Sequence, residues 1–345
     1  MKRTNIFVIA AIIFVACSYF LVQLMVPLPI GNKTIEVEIP PGTTFRHALE
    51  IFSREGLLRD KNVLLLLGKI SGIDKKIRAG YYSVNGSVRP LDIFKMLKEG
   101  RITEYVLTIV EGDSLLEIGD KLAEKGIISK EDFWQLASDE EFMYLYGIDA
   151  PSIEGYLFPD TYRVPKGIDP EDAIGMMINR MREKFTPELS ERASEIGLSE
   201  KEVLTLASII EKESVADKER FIISAVFHNR LREGILLQAD PTAIYGIKSS
   251  KEKITASDLR KKTKYNTYFI KGLPPGPIAS PGIRSIEAAL YPADVPYFYF
   301  VSNNDGTHQF SVTAAEHMAA VKAYREKKLK EEQEKLEEAQ ENEKS

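Results

Sequence analysis

Leu206, Ile209, Ile210 and Glu213 stand at i, i+3, i+4 and i+7, so a helix through this segment places all four side chains on one face. A carboxylate that ends an apolar stripe loses hydration, and lost hydration favours its neutral form. Glu213 could then keep a proton near neutral pH and donate it, which is what a general acid requires. Ser199 and Glu202 have the spacing of a capping box just ahead of the stripe, so the helix has a defined start. Glu211 lies two residues earlier, roughly 200° around the axis, and should point away from that face. The same pattern also fits a structural glutamate buried against an arginine such as Arg220 or Arg230.

The segments flanking this acid have an unusual composition. Glu154-Gly155-Tyr156-Leu157-Phe158-Pro159-Asp160-Thr161-Tyr162 holds three aromatics, two acids and a proline. Gln238-Ala239-Asp240-Pro241-Thr242 sets an acid and a hydroxyl around a proline turn, and Tyr265-Asn266-Thr267-Tyr268 leads into a loop, residues 272–282, stiffened by four prolines. Each motif alone reads as turn chemistry with buried tyrosine hydroxyls. Together they suit a sugar polymer, whose rings offer an apolar face and a rim of hydroxyls to aromatic and amide groups. Stiff loops also lose little entropy on binding. His47, His228, His308 and His317 are scattered and no cysteine accompanies them, so no metal site is expected.

The elements that must position these residues begin with an anchor. Residues 6–26 are almost wholly apolar, and no charge intervenes between Arg3 and Lys33. Such a run spans a hydrocarbon core of roughly 30 Å as a helix. Lys2 and Arg3 precede it, so residues 1–4 are expected in the cytoplasm, 5–27 across the inner membrane, 28–33 as a linker and the rest outside the cytoplasm. A cleaved signal would want a shorter apolar core and a small-residue cleavage site. A lipoprotein signal ending at Cys17 would not continue for about ten apolar residues beyond it, as a spanning helix does. Cys17 is the only cysteine, so the exported part has neither disulfides nor a thiol nucleophile. The formal charge of −5 gives no electrostatic reason to expect nucleic acid as a partner.

About 300 residues lie between the anchor and the charged end, more than one core usually serves, so two or three subdomains are expected. Residues 34–104 read as a small α+β unit in the order strand, helix, helix, strand, helix. Residues 105–150 continue with a second strand and two helices. Pro40-Pro41-Gly42-Thr43-Thr44 and Val110-Glu111-Gly112-Asp113-Ser114 occupy equivalent places, a hint of a degenerate repeat. Residues 151–325 form the mixed α+β domain that carries the acid and its flanking motifs. Residues 326–345, nearly all polar or charged, read as a solvated helix that frays. The fold class is α+β.

The segments Ala207-Ser208-Ile209-Ile210-Glu211-Lys212-Glu213, Asn229-Arg230-Leu231, Leu237-Gln238-Ala239-Asp240-Pro241-Thr242, Tyr265-Asn266-Thr267-Tyr268, Gly272-Leu273-Pro274-Pro275-Gly276-Pro277-Ile278 and Ser280-Pro281-Gly282 resemble, in this order, the signature of the endolytic murein transglycosylases, the YceG-like family. The aromatic segment from Glu154 to Tyr162 resembles the family's segment upstream of the catalytic core. Ala79-Gly80-Tyr81 is similar to part of its N-terminal LysM-like unit. The likeness runs from the membrane segment to about Tyr324, with slight departures at His228 and Ala239.

This resemblance implies a catalytic glutamate at Glu213, in agreement with the stripe. It also implies sugar-holding roles for Gln238, Asp240, Thr242, Tyr265, Asn266, Thr267 and Tyr268, with no cofactor. The implied reaction is cleavage of the β-1,4 bond between N-acetylmuramic acid and N-acetylglucosamine in nascent strands, leaving 1,6-anhydro ends and terminating elongation. The implied partners are peptidoglycan strands and the peptidoglycan synthases of elongation or division. Two rivals differ in class. A hydrolase would use Asp240 or Glu219 as a second carboxylate and leave reducing ends. A non-catalytic wall-binding scaffold would tolerate loss of Glu213.

Overall fold

The apolar N-terminal run folds as one helix, α1 (Lys2–Met25), of which Asn5–Met25 has a mean hydropathy of 2.5 and packs none of its length inside the protein. It is long and apolar enough to cross a membrane. The computed structural model describes residues 2–73, 77–249, 252 and 254–342 as a mixed α+β fold in two units. The first comprises the chain up to Leu107 together with Tyr162–Asp169; the second comprises Thr108–Thr161 and the chain from Pro170 onward.

In the first unit β1 (Leu28–Ile39), α2 (Phe45–Arg54), α3 (Lys61–Ser71), β2 (Gly80–Val88) and α4 (Pro90–Glu99) follow in order. β1 pairs antiparallel with β2, Val37 opposite Tyr82 and Ile39 opposite Gly80. Successive side chains of a strand face opposite ways, so Val37 and Ile39 enter the core while Glu36 and Glu38 face solvent. Phe45, Leu49 and Phe52 of α2, Leu64 of α3 and Ile93, Phe94 and Leu97 of α4 close over the same core. β1 starts earlier than the alternation predicts. Leu28 and Pro29 already pair with Val88 and Ser87, so residues 28–33 are strand with a register shift before Thr34. Gly31, at φ +67°, supplies the backbone turn that such an irregularity needs. Residues 74–76 lie outside the described residues.

β3 (Glu104–Thr108) pairs with β4 (Thr161–Pro165), as β1 pairs with β2. The two turns singled out as equivalent share a geometry as well as a rhythm. Thr43 N–H donates to Pro40 O at 3.3 Å and Asp113 N–H to Val110 O at 3.1 Å, with Gly42 and Gly112 at φ +78° and +81°. A turn that needs positive φ at its third residue admits glycine at little cost. The likeness between the two turns is thus one of backbone geometry.

The second unit contains α5 (Leu115–Glu124), α6 (Lys130–Ala137), α7 (Glu140–Leu145), α8 (Pro170–Lys184), α9 (Pro187–Glu195), α10 (Glu200–Glu213), α11 (Arg220–Arg232), the single turn α12 (Asp240–Ile244), α13 (Ile283–Leu290), the hairpin of β5 (Tyr299–Ser302) and β6 (His308–Ser311), and α14 (Ala314–Asn342). α10 lies at its centre. All residues from Val203 to Ile210 are buried, and α9, α11, α12 and α13 pack around them. Thr205, Ala207 and Ser208 are small enough to bury the face opposite the apolar stripe, so the helix is enclosed rather than half-exposed. The polar C-terminal residues continue α14 as far as Asn342, and 343–345 lie outside the described residues.

Candidate active site

α10 starts and stops where its sequence dictates. Ser199 N–H donates to Glu202 Oε2 at 2.8 Å and Glu202 N–H to Ser199 Oγ at 3.3 Å, closing the capping box. At the other end Ser214 turns extended, its N–H still donating to Ile210 O at 2.9 Å. Glu213 is thus the last helical residue, partly exposed, at the end where unpaired carbonyls carry negative partial charge. Burial of its carboxyl pushes the pKa up to about 8, the negative charge of Asp240 adds to the rise, and the Asp240 backbone amide partly offsets it. Glu213 therefore holds a proton at neutral pH, as the stripe predicts.

Glu211 is different. Its Oε1 accepts from Arg220 Nη1 at 2.9 Å, with the two side chains 6 % and 7 % exposed, and its Oε2 accepts from Gly282 N–H at 2.9 Å. Arg220 also pairs with Asp217 at 3.0 Å and donates to Ser285 Oγ. The arginine-paired structural glutamate that the sequence allowed does occur, at 211 rather than 213. Glu211 points away from the stripe, and because α11 and α13 pack against α10, that direction is also protein.

The loops bring Asp240 and Tyr268 to Glu213. Tyr268 Oη donates to Asp240 Oδ1 at 2.6 Å, and burial followed by this bond raises the tyrosine pKa, with the Glu213 charge a further contributor. Gln238 sits at φ +52°, a left-handed conformation uncommon outside glycine and of the kind that clusters at functional sites. Arg230 holds that conformation. Its Nη1 donates to Leu236 O at 3.1 Å and Leu237 O at 2.8 Å, its Nε donates to Phe298 O at 2.6 Å, and its guanidinium lies 5.0 Å from the Tyr299 ring centre. Asn229 Nδ2 donates to Val295 O and Tyr297 O, so the Asn229-Arg230 pair ties two loops to α11.

Thr242, Tyr265, Asn266 and Thr267 occupy other positions. Thr242, Asn266 and Thr267 are fully buried and Tyr265 is 8 % exposed. Thr242 Oγ1 donates to Ala239 O at 2.6 Å and accepts from Thr267 N–H at 3.1 Å, while Thr267 Oγ1 accepts from Ala239 N–H at 2.9 Å. Asn266 Nδ2 donates to Leu259 O and Lys261 O, and the Tyr265 ring packs 4.5 Å from that of Tyr245. The Thr242, Asn266 and Thr267 side chains lock the loop, because a buried polar group is costly unless bonded. Of the seven residues expected to hold substrate, Gln238, Asp240 and Tyr268 remain accessible.

One acid has more structure around it than its motif suggested. Glu154 is 2 % exposed and accepts from Leu115 N–H, at the start of α5, at 3.2 and 3.1 Å and from Tyr245 Oη at 3.1 Å. Burial raises its pKa to about 7, against the lowering effect of those donors. The signal for it was present, an acid opening the aromatic segment 154–162, yet no spacing rule places that acid at a helix start 39 residues upstream. Glu219, the other candidate second carboxylate, is buried against His308, Nδ1 to Oε2 2.9 Å.

The chain is 30 % identical over 322 residues to a Bacillus subtilis protein named endolytic murein transglycosylase, covering 88 % of each. It is 28 % identical to a Streptococcus pneumoniae protein of the same name, 62 % of whose length it spans. A crystal structure of a YceG-like protein from Listeria monocytogenes matches 84 % of this chain and 99 % of its own, at 32 % identity and a TM-score of 0.58. Residues 37–323, which include the β3–β4 and β5–β6 pairs and the helices and loops around Glu213, match the YceG-like family, and the chain belongs to it.

Proposed function

We propose that this protein is a membrane-anchored lytic transglycosylase of peptidoglycan, and the observation that carries the reading is the place of the Glu213 carboxyl at the end of α10 beside Asp240 and Tyr268, in a chain whose relatives are named endolytic murein transglycosylases. Glu213 donates its proton to the glycosidic oxygen leaving C1 of an N-acetylmuramic acid unit as positive charge develops at C1. The resulting carboxylate takes the proton of the same sugar's C6 hydroxyl, whose oxygen bonds to C1 and closes a 1,6-anhydro ring. The proton lost is the proton regained, and water is not consumed. Asp240 stabilises the developing positive charge, and its own charge keeps Glu213 protonated until the bond breaks. Cleavage within uncrosslinked strands as they emerge from a synthase would set their length.

Asp240 also supports the hydrolytic reading, since a second carboxylate near the acid could activate water. Mass spectrometry of digested glycan separates the two. Anhydro ends are expected; reducing ends without them would exclude the transglycosylase and leave the hydrolase.

The pH dependence comes from the same group. With the acid required in its protonated form, kcat/KM should hold across neutral pH and fall about ten-fold per unit above roughly pH 8 as Glu213 ionises. A decline centred near pH 4 to 5 instead would mean that the acid is a carboxyl whose pKa the site does not raise.

The membrane reading rests on the apolar helix and on Lys2 and Arg3 ahead of it. Protease added to spheroplasts is expected to degrade everything beyond the anchor, and protection of the whole chain would reverse the orientation. The first unit, with its strand, helix, helix, strand order, is read as a LysM-like module that binds glycan weakly and leaves the chemistry to the second.

A further inference from the structure

The second unit contains a cleft of about 570 Å³ in which neither Glu213 nor Asp240 lies, although their chain neighbours Lys212 and Pro241 line it. Its volume falls in the roughly 300–1,000 Å³ range of small-ligand pockets. Leu116, Trp134 and Ile247 form part of its wall while 42 %, 45 % and 39 % exposed, so large apolar side chains face solvent together there. Glu154 also lines the cleft, a buried carboxyl held by Leu115 N–H and Tyr245 Oη. The cleft is thus a largely apolar trough with the Glu154 carboxyl set into it and a path to the reaction centre along two chain segments.

We propose that this cleft is a sugar subsite that seats one N-acetylated unit of the glycan strand away from the scissile bond, with Trp134 against the pyranose face, Leu116 and Ile247 against the acetamido methyl, and Glu154 accepting the acetamido N–H. This inference rests on the glycan-cleaving reading and adds to it a second point of grip. The chemistry of the cleft selects the occupant. An acyl chain or apolar peptide side chain would cover the Glu154 carboxyl without offering it a donor, which is costly. An acidic group would meet the Glu154 carboxyl, and both lysines that line the cleft are engaged, Lys212 Nζ with Gly112 O at 3.1 Å and Lys248 Nζ with Asp258 Oδ2 at 2.6 Å. An acetamido sugar presents an apolar ring face, a methyl group and an N–H together. Because the subsite is remote from the bond being broken, its contacts act in both ground and transition states and should appear mainly in KM.

Trp134 is the sole tryptophan of the chain, so its fluorescence reports on this cleft alone. The full-length Glu213→Gln protein in detergent, titrated with a soluble β-1,4-linked N-acetylglucosamine tetramer, should show a saturable change in emission. In the otherwise wild-type protein Trp134→Ala should raise KM for glycan strands about ten-fold and lower kcat by much less. Constant emission up to saturating tetramer, or an unchanged KM in Trp134→Ala, would overturn the subsite while wild-type turnover of glycan leaves the catalytic reading intact. Failure of the wild type to cleave glycan at all would remove both.

Discussion

Glu213→Gln should reduce turnover of glycan strands by roughly 10²- to 10⁴-fold, the range for loss of an acid-base group, while the protein stays folded. The amide keeps the shape of the carboxyl but can neither give the proton to the leaving oxygen nor recover it from the C6 hydroxyl. Stability should move the opposite way. The folded pKa of Glu213, about 8, lies above its ordinary 4.5, so the wild type gains stability from this group below pH 4.5 and loses it progressively as pH rises to 8. The variant has no such group to ionise. Its melting temperature relative to wild type should therefore rise between those pH values, a readout independent of activity. Near-normal turnover by the variant would displace Glu213 from the mechanism and require another group to supply the proton.

Glu211→Gln should instead act on the fold, costing about 3 kcal/mol, at the low end for a broken buried ion pair because Asp217 and Ser285 still hold Arg220. The variant is expected to unfold at lower denaturant concentration, and its activity per folded molecule should fall much less than that of Glu213→Gln. Denaturant titration alongside kinetics on the folded fraction distinguishes the two glutamates. A stable Glu211→Gln protein with abolished turnover would place the catalytic proton on the wrong residue here. The contact with Gly282 N–H adds a structural consequence: loss of the carboxylate also frees the proline-stiffened loop at its C-terminal end.

Local pattern was sufficient for much of this molecule. The apolar run before Lys33, the capping box at Ser199 and Glu202, the alternation of Glu36, Val37, Glu38 and Ile39, and the stripe ending at Glu213 are each set by interactions within a few residues, so the sequence alone determined the N-terminal apolar helix, α10, the part of β1 from Thr34 and the place of Glu213 at the end of the stripe. What each polar side chain faces was decided elsewhere. Thr242 and Thr267 are 25 residues apart and bond only because two loops meet; Glu154 reaches Leu115 and Tyr245 across 39 and 91 residues. No period in the sequence separates a threonine that would touch sugar from one that locks a loop, because both call for the same hydroxyl. The two glutamates of α10 show the limit most clearly: periodicity put them on different faces, but only the packing of α11 and α13 around the helix made one face a buried arginine and the other a partly open site beside Asp240, where burial and a like charge together keep a carboxyl protonated.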